Sequence, residues 1–387
     1  MIYLDSSATT KVDPAVVEAM MPFLTEHYAN PSSGYKAGRV VKRALVKGRE
    51  QVAQLLNADP DEITFTGCGT ESNNAVIQSL WFEPPAGRQI ISARSEHSAV
   101  IEPLARWQKE GGRVTWLPVD RQGRIDLHSL DPALADGPTA LVTLMWANNE
   151  TGVLQPIEQI VERAHAHGVP VHTDAVQAVG KLPIDLRQCP VDYLSLSGHK
   201  FHAPKGVGAL FSRRTARLRP WLLGGGQEAG RRSGTENVAG IVGLGMAAEL
   251  MREHLEAGDV ERVRGLRDRF EQRLQQVFPK AQIHAAGAGR LATTCNVCLP
   301  ELDAAGILIL LDQRGVCASA GSACHSGALH PSHVLEAMGY SAEHAASTLR
   351  FSFSRFNQDR EVDEAIDHLM AAVEVMRREQ QRLTGVS

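Results

Sequence analysis

A chain of 387 residues, 43% of them hydrophobic, is long enough for two domains and a large core. Forty Lys and Arg stand against 44 Asp and Glu, a formal net charge of −4, which argues against general nucleic-acid binding because that wants a basic surface. No apolar run approaches the roughly 18 residues of a membrane-crossing helix, Met1-Ile2-Tyr3-Leu4-Asp5 lacks the layout of a signal peptide, and six cysteines in so long a chain do not make a disulfide scaffold; a reducing cytoplasm is the simplest home, with no membrane partner.

Residues 1–14 read as extended, with Asp13-Pro14 opening a turn or helix. An amphipathic helix is predicted from about Arg39 to Asn57, with Val41, Leu45, Val52, Leu55 and Leu56 on one face. The run Glu62 to Thr66 reads as a strand and leads into Gly67-Cys68-Gly69-Thr70-Glu71-Ser72-Asn73-Asn74. Small residues between a strand and a helix expose backbone N–H groups to an anion, so Gly69 and Thr70 are candidate phosphate contacts. Glycine turns are common, and this one is neither a dinucleotide fingerprint nor a Walker loop.

Gln89 to Ala93 is the next strand, and His97 follows its end in Ser95-Glu96-His97-Ser98. There it can stack on a flat cofactor, shuttle protons or serve structure alone. Ala140 to Ala147 is read as a strand that delivers Asn148-Asn149-Glu150-Thr151-Gly152, where Asn149 is either a ligand or a turn cap. Strand, loop and helix alternate from about 60 to 212, which implies a mostly parallel open sheet with helices on both faces; the pattern alone also allows a barrel.

Two strand ends carry the chemistry. The apolar run from Val169 ends in Asp174, with Gln177 three residues on, and the run Val191 to Leu196 ends in Ser197-Gly198-His199-Lys200. Strand ends are where α/β enzymes place their chemistry. A lone lysine is usually solvated, and Asp174 alone would serve as a helix cap. Together they are the two groups that a pyridoxal phosphate site needs above all. The lysine holds the aldehyde as an imine, and the carboxylate keeps the pyridine nitrogen protonated.

Further on, Leu223 to Asn237 is dense in glycine and arginine, suited to a loop meeting phosphate or a partner subunit, or to a solvated hairpin. Helices fill about 237 to 276 with a break at Ala257-Gly258-Asp259, where a domain boundary is placed. The domains expected are a large one of residues 15–257 and a small one made of 1–14 and 258–387. Cys295 and Cys298 lie three apart in an alternating strand and so face opposite sides; no metal site is expected. The stretch Val316 to Gly327, VCASAGSACHSG, is rich in small residues and carries Cys324, an exposed-thiol candidate. Arg350, in an apolar segment, asks for a carboxylate, either a substrate's or an internal one. A last helix, about Arg360 to Arg382, presents Val362, Ile366, Leu369, Val373 and Met376 on one face.

The runs HTDAVQ (172–177), SLSGHKFHAPKGVG (195–208), RSGT (232–235), SAGSACHSG (319–327) and RFS (350–352), with YLDSSATT at the start, resemble the aminotransferase class-V family. Within that family they resemble the cysteine desulfurases of the NifS/IscS type, over nearly the whole chain. The resemblance implies fold type I, pyridoxal 5'-phosphate, L-cysteine as substrate, and a homodimer that passes sulfur to an acceptor such as an iron–sulfur scaffold. It implies Lys200, Cys324 and His97 as catalytic residues and Arg350 as the carboxylate grip. Gly69, Thr70, Asn149, Asp174, Gln177, Ser197, His199 and Thr235 are the implied cofactor set, with Asn149 also near substrate and Thr235 reaching the other subunit's phosphate. Selenocysteine lyase or another class-V enzyme is the alternative. Two residues depart from the pattern: His325 stands where threonine is common, and His330 where glutamate is.

Overall fold

The computed structural model describes residues 1–320 and 331–384. The chain opens with a two-residue strand, β1 (Ile2–Tyr3). Seven further strands build the main sheet: β2 (Ile63–Thr66), β3 (Gln89–Ala93), β4 (Arg113–Leu117), β5 (Thr139–Thr143), β6 (Val171–Asp174), β7 (Tyr193–Ser197) and β8 (Gly208–Ser212). Their order is β2-β8-β7-β6-β5-β3-β4. The pairs from β7 across to β4 are parallel, and β8 runs against both its neighbours. The expected mostly parallel open sheet is therefore present.

Every residue of β2, β3, β6, β7 and β8 is buried. A sheet covered on both faces has no solvent side, so the small or hydrogen-bonded polar residues of these strands, Thr64, Thr66, His172, Thr173, Ser195 and Ser197, are buried with the apolar ones. The strand expected over 140–147 stops at Thr143. Beyond it the hydrogen bonds to β6 continue, from Leu144 N–H to His172 O and from Trp146 N–H to Asp174 O, before Ala147 bridges back to Leu154.

The helix Lys36–Leu56 buries Val41, Leu45, Val52, Leu55 and Leu56, as its periodicity predicts, and is closed by Asn57 in the left-handed region at φ 50°. It packs on the helix Val238–Glu256 at glycine contacts. A Cβ on Gly245 would lie 2.6 Å from Gly48 Cα, so neither position tolerates a larger residue without moving a helix. These two helices share the core under the main sheet, through Leu45, Val52, Ile241 and Leu244.

A second core lies elsewhere. Strands β9 (Gln282–Ile283), β10 (Thr294–Cys298), β11 (Val316–Cys317), β12 (Ser319–Ala320) and β13 (Thr348–Ser352) follow the helix Asp259–Val277. Four of them make an antiparallel sheet in the order β12-β13-β10-β9, while β11 pairs in parallel with β1. Phe270 packs 4.7 Å from Phe351 and 5.5 Å from Phe353, ring centre to ring centre. The helix Asp359–Thr384 covers this sheet with Val362, Ile366, Leu369 and Val373. Ile2 and Leu4 belong to the same core, so the first residues pack with the last third of the chain. Cys295 and Cys298 are buried in β10, where burial pushes the Cys298 thiol up to about 11. Among the described residues no helix is long and apolar enough to cross a membrane.

Candidate active site

β6 and β7 lie side by side, with Asp174 in register with Ser195, so their ends open on one place. Asp174 is the last residue of β6 and is buried. Its Oδ2 accepts from Asn73 Nδ2 at 2.7 Å and its Oδ1 from the Val176 N–H at 3.0 Å. Asn73 comes from the helix Gly69–Ser79, whose N-terminus is pressed against the turn after β6. A Cβ on Gly69 would meet Val176 Cγ2 at 2.5 Å, so glycine is what lets that helix end approach. Thr70, beside it, is exposed.

Lys200 closes the tight turn that follows β7. Its Nζ donates to Ser7 O at 2.6 Å and to Ala8 O at 2.8 Å. Burial first, and the Arg350 guanidinium second, lower this ammonium from its usual 10.5 to about 8, against the opposing pull of Asp174 and Asp5. His199 Nδ1 lies 3.1 Å from Thr9 Oγ1, and burial lowers its ring to about 4, so it is neutral at physiological pH. Gln177 donates from Nε2 to Ser7 O at 2.9 Å.

Arg350 enters from β13, in the second core's sheet, and is buried. It forms an ion pair with Asp5 at 3.0 Å and donates to Asn149 O at 2.9 Å. The internal salt bridge weighed from the sequence is thus present. Its Nε, however, has no partner among the described residues, and the same holds for the buried Asn149 Oδ1 and Ser197 Oγ.

His97 is the N-cap of the helix Ser98–Lys109, its Nδ1 accepting from the Ala99 N–H at 3.0 Å. That bond leaves the proton of the neutral ring on Nε2. Thr235 is exposed in the loop before the helix Val238–Glu256. The arginines beside it are not solvated: Arg232 pairs with Glu71 at 2.8 Å, and Arg231 donates to Asp61 O at 2.7 Å. Cys324, His325 and His330 lie outside the described residues.

The structure sets Lys200 and Gln177 on Ser7 O, His199 on Thr9, and Arg350 on Asp5 and the Asn149 carbonyl, while Asp174 is bonded to Asn73 and Val176 and bears on Lys200 by charge. Gly69, Thr70 and Ser197 stand at the edge of this group near Val176. These residues fit pyridoxal phosphate. A buried lysine poised near neutrality, a fixed carboxylate on the neighbouring strand, a helix N-terminus and three orphaned buried polar atoms are what such a ligand requires of its site.

Sequence reasoning did not single out Asp5, Asn73, Glu96, Glu150, Ser332 and His333. Glu150, next to Asn149, is buried and accepts from Ser332 Oγ at 2.5 Å; burial raises its carboxyl to about 7. Glu96, next to His97, accepts from the Met145 N–H at 2.7 Å, and burial holds its carboxyl well above the usual range. His333 Nε2 lies 2.8 Å from Glu96 O. The one available signal was adjacency, since Glu96, Glu150 and Asn73 all sit inside motifs that had been read for a neighbouring residue.

The aminotransferase class-V sequence model matches residues 2–365. The chain is 49% identical to cysteine desulfurase 2 of Trichormus variabilis, over 97% of this chain and 94% of that one. It is 46% identical to the cysteine desulfurase NifS of Azotobacter vinelandii, over 97% and 93%. Among solved structures, a NifS-like protein superposes with a TM-score of 0.90 at 36% identity, covering 97% of this chain and 99% of the other. SspA in complex with cysteine superposes with 0.80 at 34%, covering 92% and 100%.

Proposed function

We propose that this chain, which belongs to the aminotransferase class-V family, acts as a pyridoxal-phosphate-dependent cysteine desulfurase. L-Cysteine becomes L-alanine, and the sulfur remains as a persulfide on Cys324. The observation that carries the reading is that Asp174, ending β6, and Arg350, in β13, both lie near enough to act by charge on the buried Lys200 in the turn after β7.

Pyridoxal phosphate, when bound, supplies an electron sink for the bond changes at the substrate's Cα and Cβ. Lys200 Nζ would hold the cofactor and, when free, would take the Cα proton; an amine lowered to about 8 suits that task near neutral pH. Asp174 would hold the ring nitrogen in its protonated form. Gln177 and Asn149 would serve the ring oxygen, and His97 would lie against the ring and handle protons through Nε2. Gly69, Thr70, Ser197 and His199 complete the cofactor set, with the partner subunit's Thr235 at the phosphate, so the working unit is a homodimer. Arg350 grips the substrate carboxylate, with its unpaired Nε as the free donor. The Cys324 thiol attacks the substrate sulfur: one S–S bond forms, the Cβ–S bond breaks, and a proton returns to carbon to give alanine.

We divide the chain into residues 15–257 and residues 1–14 with 258–387, in keeping with the two cores. An acceptor protein such as an iron–sulfur scaffold would take the persulfide sulfur. Five free cysteines among the described residues suit the reducing cytoplasm.

The test is single-turnover analysis with L-cysteine, and with selenocysteine beside it for the alternative lyase reading. One alanine should appear per persulfide, and the persulfide should map to Cys324. A Cys324→Ala chain that makes alanine from cysteine as fast as the parent would overturn the assignment.

A further inference from the structure

Lys181 plays no part in the reading above. It looks like one more lysine in a loop, four residues after Gln177. Yet it lines a small cavity of about 60 Å³ together with Lys200, His202, His254 and Arg355. Its Nζ donates to Gln177 Oε1 at 2.5 Å.

Gln177 is held from both ends by neighbours with opposite demands. Its Nε2 donates to Ser7 O, an acceptor that only the NH2 end can satisfy. Its Oε1 receives an ammonium, a donor that only the carbonyl end can satisfy. Turning the amide over would set carbonyl against carbonyl and ammonium against NH2. The two contacts therefore fix the same orientation independently of one another. Ser7 O is also the atom on which Lys200 Nζ rests. The NH2 end of Gln177 is thus on the side of the reacting amine, and the carbonyl end is turned to Lys181.

We propose that Lys181 is a positioning residue: by holding the Gln177 carbonyl, it keeps the amide's NH2 end toward the ring oxygen of the cofactor bound at Lys200. The inference rests on the reading of Gln177 as a donor to that oxygen. Without Lys181, Ser7 O alone opposes rotation of the amide, and a carbonyl lone pair can then face the ring oxygen. Burial, together with repulsion from Lys200 and Arg350, lowers the Lys181 ammonium to about 7, so its grip is strongest at and below neutral pH. The ionisable groups around it are Lys200, Arg350, Arg355, His199, His202, His254 and Asp259.

Two measurements on Lys181→Met test this. The first is the visible pH titration of the linkage between Lys200 and the cofactor in the loaded dimer. A donor at the ring oxygen weakens that oxygen's hold on the shared proton. Its loss should raise the midpoint by about one pH unit, a tenfold change in the proton equilibrium. Lys181→Arg should restore the parent value. In a Gln177→Ala background, Lys181→Met should add no further shift. The second is made on cofactor-free protein with labelled glutamine. The Gln177 side-chain N–H pair should give one sharp, displaced set of signals in the parent. In Lys181→Met those signals should broaden or move toward the position of a free glutamine amide, because the amide then samples two orientations about its Cγ–Cδ bond while its two protons stay distinct. Lys181→Ala takes the place of Lys181→Met if that chain does not accumulate.

A lowered Tm with an unmoved titration and unmoved amide signals would overturn the inference and leave the functional reading standing. A shift that persists in the Gln177→Ala background would also overturn it, showing that Lys181 acts by charge on Lys200. A parent protein that forms no lysine-bound chromophore would overturn the functional reading and this inference together.

Discussion

The reactivity of Lys200 can be worked out from its surroundings and measured without turnover. At pH 7 an amine that titrates at its ordinary 10.5 is about 0.03% unprotonated, whereas one lowered to about 8 is about 9% unprotonated, a gain of about 300-fold in nucleophile. Burial is the first cause and Arg350 the second. Arg350→Met should therefore raise the midpoint of Lys200, and Asp174→Asn, which removes an opposing charge, should lower it, each by roughly one unit. The assay is site-resolved reductive methylation of the cofactor-free protein from about pH 6 to 10, reading the Lys200 peptide by mass spectrometry. Site resolution is needed because Lys181, lowered to about 7, will also react. The labelling rate of Lys200 should climb tenfold per pH unit and level off near 8. A rate still climbing at pH 10, or variants that shift the midpoint in the same direction, would refute the electrostatic account.

Arg350→Lys keeps a charge but loses the planar fork, so the KM for cysteine should rise about tenfold or more while cofactor affinity changes little; an unchanged KM would make Arg350 purely structural. Mixing a Lys200→Ala chain with a Thr235→Ala chain should recover up to one good site per mixed dimer, because Lys200 of one chain would meet the partner subunit's Thr235; no recovery despite proven exchange would mean that Thr235 serves its own chain. Glu150 holds its proton in the folded state up to about 7, whereas the unfolded chain releases it near 4.5, so the folded state binds more protons between those values and stability falls as pH rises through that window. Glu150→Gln should remove up to about 3 kcal/mol of that decline, read as urea unfolding at pH 5 and pH 8, and parallel profiles for the two proteins would contradict it.

How much of this was legible in the sequence follows from burial and distance along the chain. Strands β3 and β7 were readable from Ile90-Ile91 and from Leu194 and Leu196, whereas β6, Val171 to Asp174, was readable only with Val169 before it, because burial on both faces there also covers polar side chains. Asp174 stood out as the ionisable end of β6, and Lys200 as the ionisable group three residues beyond β7. The reversal of β8 was not read, although the connection from β7 is too short for a parallel crossover, which needs a dozen or more residues. The overrun of β5 has a plain cause. Leu144, Met145 and Ala147 are as buried as the strand before them, and Leu144 and Trp146 still donate to β6, so burial and backbone bonding both run on past Thr143. The buried acids Glu96 and Glu150 were invisible because composition places glutamate outside; only the partners Met145 N–H and Ser332 Oγ make their burial tolerable. Asp5 as the partner of Arg350 could not be read at all, because 345 positions separate them.

That separation leads to a statement about how the site is assembled. Leu4 packs in the core of the C-terminal sheet, Asp5 bridges Ser352, and the Ser7 N–H donates to Ser352 Oγ at 2.8 Å. Three residues on, Thr10 donates from its backbone to His199 O at 2.9 Å, at the end of β7 in the other core's sheet. Between these anchors, Ser7 and Ala8 present the two carbonyls that hold Lys200, and Asp5 presents the carboxylate that holds Arg350. One short segment thus sets Lys200 and Arg350, the proposed base and the proposed carboxylate grip, relative to each other, although they belong to different cores. A displacement of the C-terminal sheet would carry Arg350 and Asp5 together and pull on the carbonyls that hold Lys200. The ammonium is therefore coupled mechanically as well as electrostatically to the residue proposed to bind substrate, and a ligand that draws Arg350 away from Asp5 would act on both couplings at once.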